Sequence, residues 1–471
     1  MKLYETLVEE LTRSIDSGVL RPGDRVPSVR ELTRSRSVSP GTVLQAYGVL
    51  EDQGRIEARP RSGYYVSVRG PGPLPLPETR KPNGRPGQVA MGELVFEVLA
   101  SARDRNVVPF GSAFPSPELF PFKQLSHAFG AAARFLDPWK TVSDLSPGNL
   151  ELRRQIARRY LEVGCTVKPD EILITCGAME ALNLCLQSVA RPGDLIAIES
   201  PAFYASLQII EALGLRAVEV ATEPLRGVDL DALAQAIKRH RIKACWFMTN
   251  YQNPLGSLMP LEKKRALVEL LRRHEIPLIE DDVYAELHLK GTRPKPAKAF
   301  DEDGLVLHCS SYSKCLAPGF RVGWVVAGRS AERVQQRQLS NTLTPSVPAQ
   351  LAIVEYLKHG GYERHLRQLR KALSDQQVRL LEAVRRYFPD GTRVTQPDGG
   401  YFAWVELPEG VDAVRVYRAA MKANVSVSPG PIFSAQRGFE NCLRINYGHP
   451  WSPALEQGIR TLAHLASRQL G

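Results

Sequence analysis

The 471-residue chain contains no run of eighteen apolar residues, so nothing in it reads as a membrane-spanning helix. Its opening, Met1-Lys2-Leu3-Tyr4-Glu5, enters a charged helical pattern with no apolar signal-peptide core, and a cytoplasmic protein is expected. Cysteine is scarce: seven residues (165, 176, 185, 245, 309, 315, 442), odd in number and without zinc spacing. Buried, reduced thiols are expected in place of disulfides or a metal site. No internal repeat is visible. What the chain does have is length and positive charge. It is too long for one ordinary domain, and 43% hydrophobic with 24% charged residues is the balance of a soluble globular protein. A net charge of +11 suits a nucleic-acid partner, whose phosphates exchange counterions for fixed cations, although a basic enzyme could show the same total.

Residues 1–69 read as one compact unit. Tyr4, Leu7, Val8, Leu11 and Ile15 recur at helical spacing up to Gly18. Pro22-Gly23-Asp24 is a turn, Ser28 an N-cap for a second helix, and Ser39 the cap of a third whose apolar face is Val43, Ala46, Tyr47 and Leu50. Gly54 ends that helix. Residues 55–59 and 64–68 look like two short strands around Pro60-Arg61-Ser62-Gly63. Three helices and a β-hairpin make a winged helix-turn-helix. That motif lays its third helix in the DNA major groove, where Ser39, Thr42 and Gln45 would face base edges, with Gln45 suited to adenine. Arginines 25, 30, 34, 36, 59 and 61 surround it and suit phosphate or guanine.

Composition changes after Arg69. Six prolines and four glycines between 70 and 87 exclude a packed element, so residues 70–105 are expected as an extended linker ending in a short helix that carries Leu94, Val95, Val98 and Leu99. From 106 to 471, short apolar runs (172–175, 195–198, 244–248, 277–279, 305–308 and 322–326) mostly alternate with helix-like stretches. Alternation of this kind predicts a multidomain chain whose C-terminal part is α/β, with a mostly parallel central sheet.

The wording of the N-terminal unit goes further than its pattern. Arg21-Pro22-Gly23-Asp24-Arg25-Val26-Pro27-Ser28-Val29-Arg30-Glu31-Leu32, then Ala46-Tyr47, Leu50-Glu51-Asp52-Gln53-Gly54 and Ser62-Gly63-Tyr64-Tyr65-Val66, resembles the GntR family. The resemblance implies DNA contacts at Arg30, Ser39, Thr42 and Gly63 of the wing. Pro40-Gly41 departs from the polar residues common there, so the operator is not inherited by analogy.

In the C-terminal part, Ser310-Ser311-Tyr312-Ser313-Lys314 follows a strand and leads to Arg321. A lysine flanked by hydroxyls and followed by an arginine fits an aldehyde cofactor that bears a phosphate. Thr175-Cys176-Gly177-Ala178 passes from strand to helix and offers N–H groups to phosphate. Asp281, in Glu280-Asp281-Asp282-Val283-Tyr284, can pair with a pyridine nitrogen; Asn253 can donate to a ring hydroxyl, and Tyr204 can stack on the ring. In order and wording these segments resemble the class I aminotransferases of fold type I, which add a smaller C-terminal α+β subdomain. The resemblance implies pyridoxal 5′-phosphate as cofactor, with Lys314 as the aldimine lysine, Asp281 on the pyridine nitrogen, and Tyr284 and Asn253 on the phenolic oxygen. Tyr204 would stack on the ring, and Gly177, Ala178, Ser311, Ser313 and Arg321 would surround the phosphate. It makes Arg444 the grip on a substrate or effector carboxylate, whereas by itself that residue also reads as a strand-edge ion pair. No metal is implied. The chain lacks the tyrosine common just before the glycine at 148: residues 141–147 read Thr-Val-Ser-Asp-Leu-Ser-Pro.

A GntR-type reader, a proline-rich linker and an aminotransferase-like domain together resemble the MocR regulators. That implies a homodimeric transcription regulator whose operator binding responds to the cofactor or to a small amino compound exchanging at Lys314. The alternative is a working aminotransferase with a DNA-binding appendage.

Overall fold

The computed structural model describes residues 3–21, 23–52, 55–59, 62–66, 74–89, 92–101, 104–134, 136–358 and 360–470. The chain divides into two compact units, Met1–Leu74 and Pro75–Gly471.

The small unit holds helices α1 (Leu3–Asp16), α2 (Val29–Arg36) and α3 (Pro40–Asp52), then strands β1 (Ile56–Arg59) and β2 (Gly63–Val66) paired antiparallel. Leu7, Leu11, Leu32, Val43, Ala46, Tyr47, Leu50, Ile56 and Val66 form its core. Helix α2 starts on a capping box: the Glu31 N–H donates to Ser28 Oγ at 3.3 Å, and the Ser28 N–H donates to Glu31 Oε2 at 2.7 Å. Three helices and a wing are the architecture expected of a winged helix-turn-helix. Charge is less concentrated than composition suggested. Residues 1–74 carry eleven Lys and Arg against nine Asp and Glu, so only two of the eleven net charges lie in this unit. Its affinity for phosphate must come from placement.

The large unit is built on one mixed sheet. Its strands are β3 (Gly87–Gln88), β4 (Ile172–Thr175), β5 (Leu195–Ser200), β6 (Arg216–Glu223), β7 (Ile242–Phe247), β8 (Leu278–Asp281), β9 (Val306–Ser311) and β10 (Gly323–Val326), in spatial order β3-β6-β5-β7-β8-β9-β10-β4. The run β6-β5-β7-β8-β9 is parallel; β10 is antiparallel to both of its neighbours, and β3 is antiparallel to β6. Parallel strands align their C-terminal ends, and there open α/β sheets place their ligands. Helix α4 (Ala178–Val189) follows β4, and α5 (Leu230–Arg239) lies between β6 and β7. A second, antiparallel sheet forms the smaller subdomain, with order β11 (Arg393–Val394), β12 (Phe402–Glu406), β14 (Cys442–Asn446), β13 (Ser428–Pro429). Among the described residues no helix is long and apolar enough to cross a membrane.

Two features differ from the sequence reading. Strand β6 has no counterpart in the apolar runs, because Glu219 interrupts its middle. That carboxylate is buried, accepting 2.9 Å hydrogen bonds from Ser434 Oγ and the Ala435 N–H. The second is the proline-rich stretch. From Pro75 onward it is tied to the large unit: Pro75 O accepts from the Val394 N–H, and Gly87–Gln88 joins the sheet edge. Proline forbids a helix here but leaves carbonyls free to bond a neighbour. The short helix is present at Glu93–Ser101, burying Val95 and Val98 and exposing Phe96 and Leu99.

Ser28→Ala removes the bond from the Glu31 N–H to Ser28 Oγ and leaves the one from the residue-28 N–H to Glu31, at a cost of about 1 kcal/mol. In calorimetry of the full chain, the small unit's transition should fall by ~4–8 °C. The large unit's transition should stay in place; a shift confined to it would contradict the division.

Candidate cofactor and DNA-reading sites

The C-terminal ends of β8 and β9, the β4–α4 turn and strand β14 converge on one recess. Lys314 lies three residues beyond β9. Its amine keeps a little access to solvent but is otherwise enclosed; it donates to Ala113 O at 2.9 Å and lies 3.6 Å from the centre of the Phe114 ring. Burial, with Arg444 and Arg321 nearby, lowers its pKa from 10.5 to about 7, against the opposing pull of Asp281. Asp281 ends β8 with 1% of its surface exposed, and burial followed by repulsion from Asp282 raises it from 3.8 to about 7. Its Oδ1 is buried without a hydrogen-bond partner, as is Asn253 Nδ2. Buried polar atoms are rarely left unpaired, so two in one recess point to a polar ligand.

Arg444, on β14, is fully buried and has no carboxylate partner among the described residues. It donates to Asn253 Oδ1 (3.2 Å), Gly111 O (2.9 Å), Ser112 O (3.2 Å) and Ser428 Oγ (3.1 Å). Its guanidinium carbon lies 4.2 Å from the Phe402 ring centre and 5.2 Å from that of Phe433. The strand-edge ion pair is therefore not formed. Burial holds the guanidinium below its usual pKa. An uncompensated buried cation is costly and is best explained by an anion that visits. Tyr204 packs against Phe203 and Phe433, with Arg444 over its ring at 5.9 Å. Tyr284 is buried between Tyr401 and Phe402.

The other wall is a cradle for an anion. Gly177 has φ +77° and precedes Ala178, the first residue of α4. A Cβ at Gly177 would stand 2.4 Å from Arg321 Nη2, and one at Gly323 would stand 2.5 Å from the Gly177 carbonyl carbon. Only glycines allow this approach of guanidinium to helix start. Arg321 donates to Ser313 Oγ at 3.1 Å and to Cys176 O at 3.3 Å, while Ser311 Oγ accepts from the Ser313 N–H at 3.3 Å. Among the described residues Arg321 has no carboxylate partner. A helix N-terminus, two hydroxyls and a free cation form a phosphate site. Gly177, Ala178, Ser311, Ser313, Arg321, Lys314, Asp281, Asn253 and Arg444 thus line one recess. Its donor set fits pyridoxal phosphate: cation for phosphate, carboxylate for ring nitrogen, amine for aldehyde.

Sequence reasoning missed the segment 111–114, whose backbone carbonyls meet both Lys314 and Arg444. Backbone groups carry no residue identity, so no motif could announce them. It also missed Tyr401, whose hydroxyl donates to Ala113 O at 3.0 Å. The Gly399-Gly400 pair before it was a usable signal, since a Cβ at Gly399 would meet the Tyr251 ring at 2.4 Å. No group of three or more His, Cys, Asp or Glu that could hold a metal occurs among the described residues.

In the small unit, the Thr42 N–H donates to Ser39 Oγ at 3.1 Å, and the two hydroxyls lie 2.8 Å apart at the start of α3. Gln45 and Arg30 are exposed. Gly63 has φ +104° and lies against the Arg25 guanidinium. Arg36 pairs with Glu10 at 3.1 Å, which gives it a scaffold role. Arg61 lies outside the described residues.

A winged-helix reader joined to a fold-type I, pyridoxal-phosphate-binding transferase domain defines the MocR type of transcription regulator, and the comparisons agree. Residues 140–458 match "Aminotransferase class I and II", and residues 3–66 match "Bacterial regulatory proteins, gntR family". The chain belongs to the class I and II aminotransferase family, in the branch that carries a GntR reader and acts as a DNA-binding transcription regulator. It is 45% identical to the uncharacterized HTH-type transcriptional regulator YdcR of Escherichia coli K12, over all of both chains. It is 36% identical to the uncharacterized regulator YjiR of the same strain, also over all of both chains. The Thermus thermophilus α-aminoadipate aminotransferase LysN, solved with N-(5′-phosphopyridoxyl)-L-leucine, superposes with a TM-score of 0.72 at 29% identity. That match covers 80% of this chain and 97% of LysN.

Only a neutral amine adds to an aldehyde, so the rate of pyridoxal phosphate capture by the apo-protein should rise with pH through about 7 and then level. Stopped-flow absorbance measures it. A rate still climbing towards pH 10.5 would show an ordinary, solvated lysine.

Proposed function

We propose that the large unit senses a small amino compound through pyridoxal phosphate held at Lys314, and that this changes how the reader binds a double-stranded DNA operator. The observation that carries the reading is Arg444: a buried cation with no carboxylate partner among the described residues, close to the Lys314 amine. An amine and a carboxylate bound by that pair describe an amino acid or a close analogue. When bound, the cofactor supplies an aldehyde that condenses with amines and a ring that accepts electron density. Asp281 holds the ring nitrogen, Tyr284 and Asn253 bond the ring oxygen, and Tyr204 lies against the ring. Gly177, Ala178, Ser311, Ser313 and Arg321 hold the phosphate.

In the reader, Arg30 and Gly63 meet the phosphate backbone, while Ser39, Thr42 and Gln45 face the major groove; Arg61 of the wing is assigned to phosphate from sequence alone. We assign a homodimer. Phe122, Phe129, Trp139, Val142 and Leu150 expose apolar surface within one stretch, and the Phe129 ring lies 6.0 Å from Phe320 beside the phosphate cradle. The described residues 141–147 offer the cradle no tyrosine. The second reading, a working aminotransferase, is favoured by the same intact pair of Lys314 and Asp281. Turnover of an amino acid in the absence of DNA would support it over regulation.

The test uses a duplex selected from a random pool by the full chain. Lys314→Ala should still bind that duplex but lose the dependence of affinity on pyridoxal phosphate. A retained response would refute sensing at this lysine. Arg30→Ala should weaken binding for all sequences alike and reduce the slope of log K against log salt by about one. Loss of sequence preference instead would place Arg30 on a base.

A further inference from the structure

Residues 75–88 bridge the two parts of the large unit. Their first half is fixed to the smaller subdomain. Pro75 O accepts from Val394, the Glu78 N–H donates to Glu406 Oε2 at 2.9 Å, and Arg80 donates to Glu406 Oε1 at 3.2 Å and to Asn441 Oδ1. Glu78 also pairs with Arg393. The second half is fixed chiefly to the edge of the main sheet, with one further bond to the segment before β14 of the smaller subdomain. Asn83 Oδ1 accepts from Gln436 at 3.0 Å, Gly84 O lies 2.9 Å from His240 Nε2, Pro86 O accepts from Arg216 at 3.0 Å, and β3 pairs with β6. In the sequence this strap is the first segment of the large unit after the reader.

Its anchor is linked to the recess by packing. Glu406 and Arg444 lie on the adjacent strands β12 and β14, where Trp404 faces Arg444 and Glu406 faces Cys442. Rings then lead outward. Arg444 lies 5.2 Å from Phe433, Phe433 5.5 Å from Trp404, Trp404 5.8 Å from Phe439, and Phe439 5.2 Å from the Arg80 guanidinium carbon. Close-packed rings transmit displacement because they leave no void to absorb it.

We propose that Arg80 is the latch through which occupancy of Arg444 reaches the reader's tether. The proposal rests on the reading of Arg444 as a carboxylate grip. A carboxylate there neutralises the buried cation, firms the β12–β14 pair that carries Glu406, and so tightens the strap. Spatial continuity alone does not establish coupling, and a double-mutant cycle does.

Hydrogen exchange of the Glu78 and Gln88 amides tests it in the full chain, comparing protein loaded with pyridoxal phosphate and with N-(5′-phosphopyridoxyl)-L-leucine. In the wild type the adduct should slow exchange at Glu78 about tenfold. Arg80→Ala, and independently Glu406→Gln, should abolish that difference while leaving the spectrum of both ligands unchanged and weakening the adduct by no more than about tenfold, and Arg80→Ala in the Arg444→Gln background should add nothing. Equal exchange in the two wild-type forms, or a full difference in Arg80→Ala, would overturn the latch while sparing the carboxylate reading. Adduct affinity that is unaltered by Arg444→Gln would sink that reading, and the latch with it.

Discussion

The large unit is organised around charge taken out of water. Lys314, Asp281 and Arg444 share one recess, and among the described residues none is neutralised by a close protein ion pair. Keeping such groups dry costs free energy unless the amine and the carboxylate lose their charge or a ligand compensates them. The lysine and the aspartate accordingly move towards each other in pKa, to about 7 each. Arginine cannot titrate away its charge, so its cost persists until an anion arrives. The neighbouring glycines, backbone carbonyls and aromatic walls all follow from the need to exclude water while leaving room for a flat, phosphorylated ring.

This arrangement explains why a regulator would keep the parts of an enzyme. Reversible capture of an aldehyde by a lysine, followed by exchange with a free amine, is a binding equilibrium before it is a reaction. Differential affinity between two states of the large unit is all that linkage requires. Arg444 sits on a strand of the smaller subdomain and Lys314 just beyond a strand of the main sheet, so under the proposed reading an amino acid would touch both at once. The strap spans those same two parts.

Much of this was legible in the sequence, for identifiable reasons. Lys314, Asp281 and Gly177 each sit at or just past the end of a strand and Arg321 in the turn just before one, so side chain and turn chemistry appear together in short stretches. The reader was legible because its helices carry their own caps, such as Ser28 with Glu31, and a separate apolar face. Strand β6 was hidden by Glu219, a charge that the fold buries by supplying two donors from far along the chain. The strap was read as part of an extended linker because proline and glycine content reports what a segment cannot form, and says nothing about what its carbonyls will bond. The carbonyls of residues 111–114 were invisible for the same reason.

The central claim is covalent and local, and borohydride reduction of the cofactor-loaded protein followed by peptide mapping tests it most directly. A pyridoxyl group on the peptide containing Lys314, and on no other lysine, is the expected result. A label elsewhere, or none, would contradict the account.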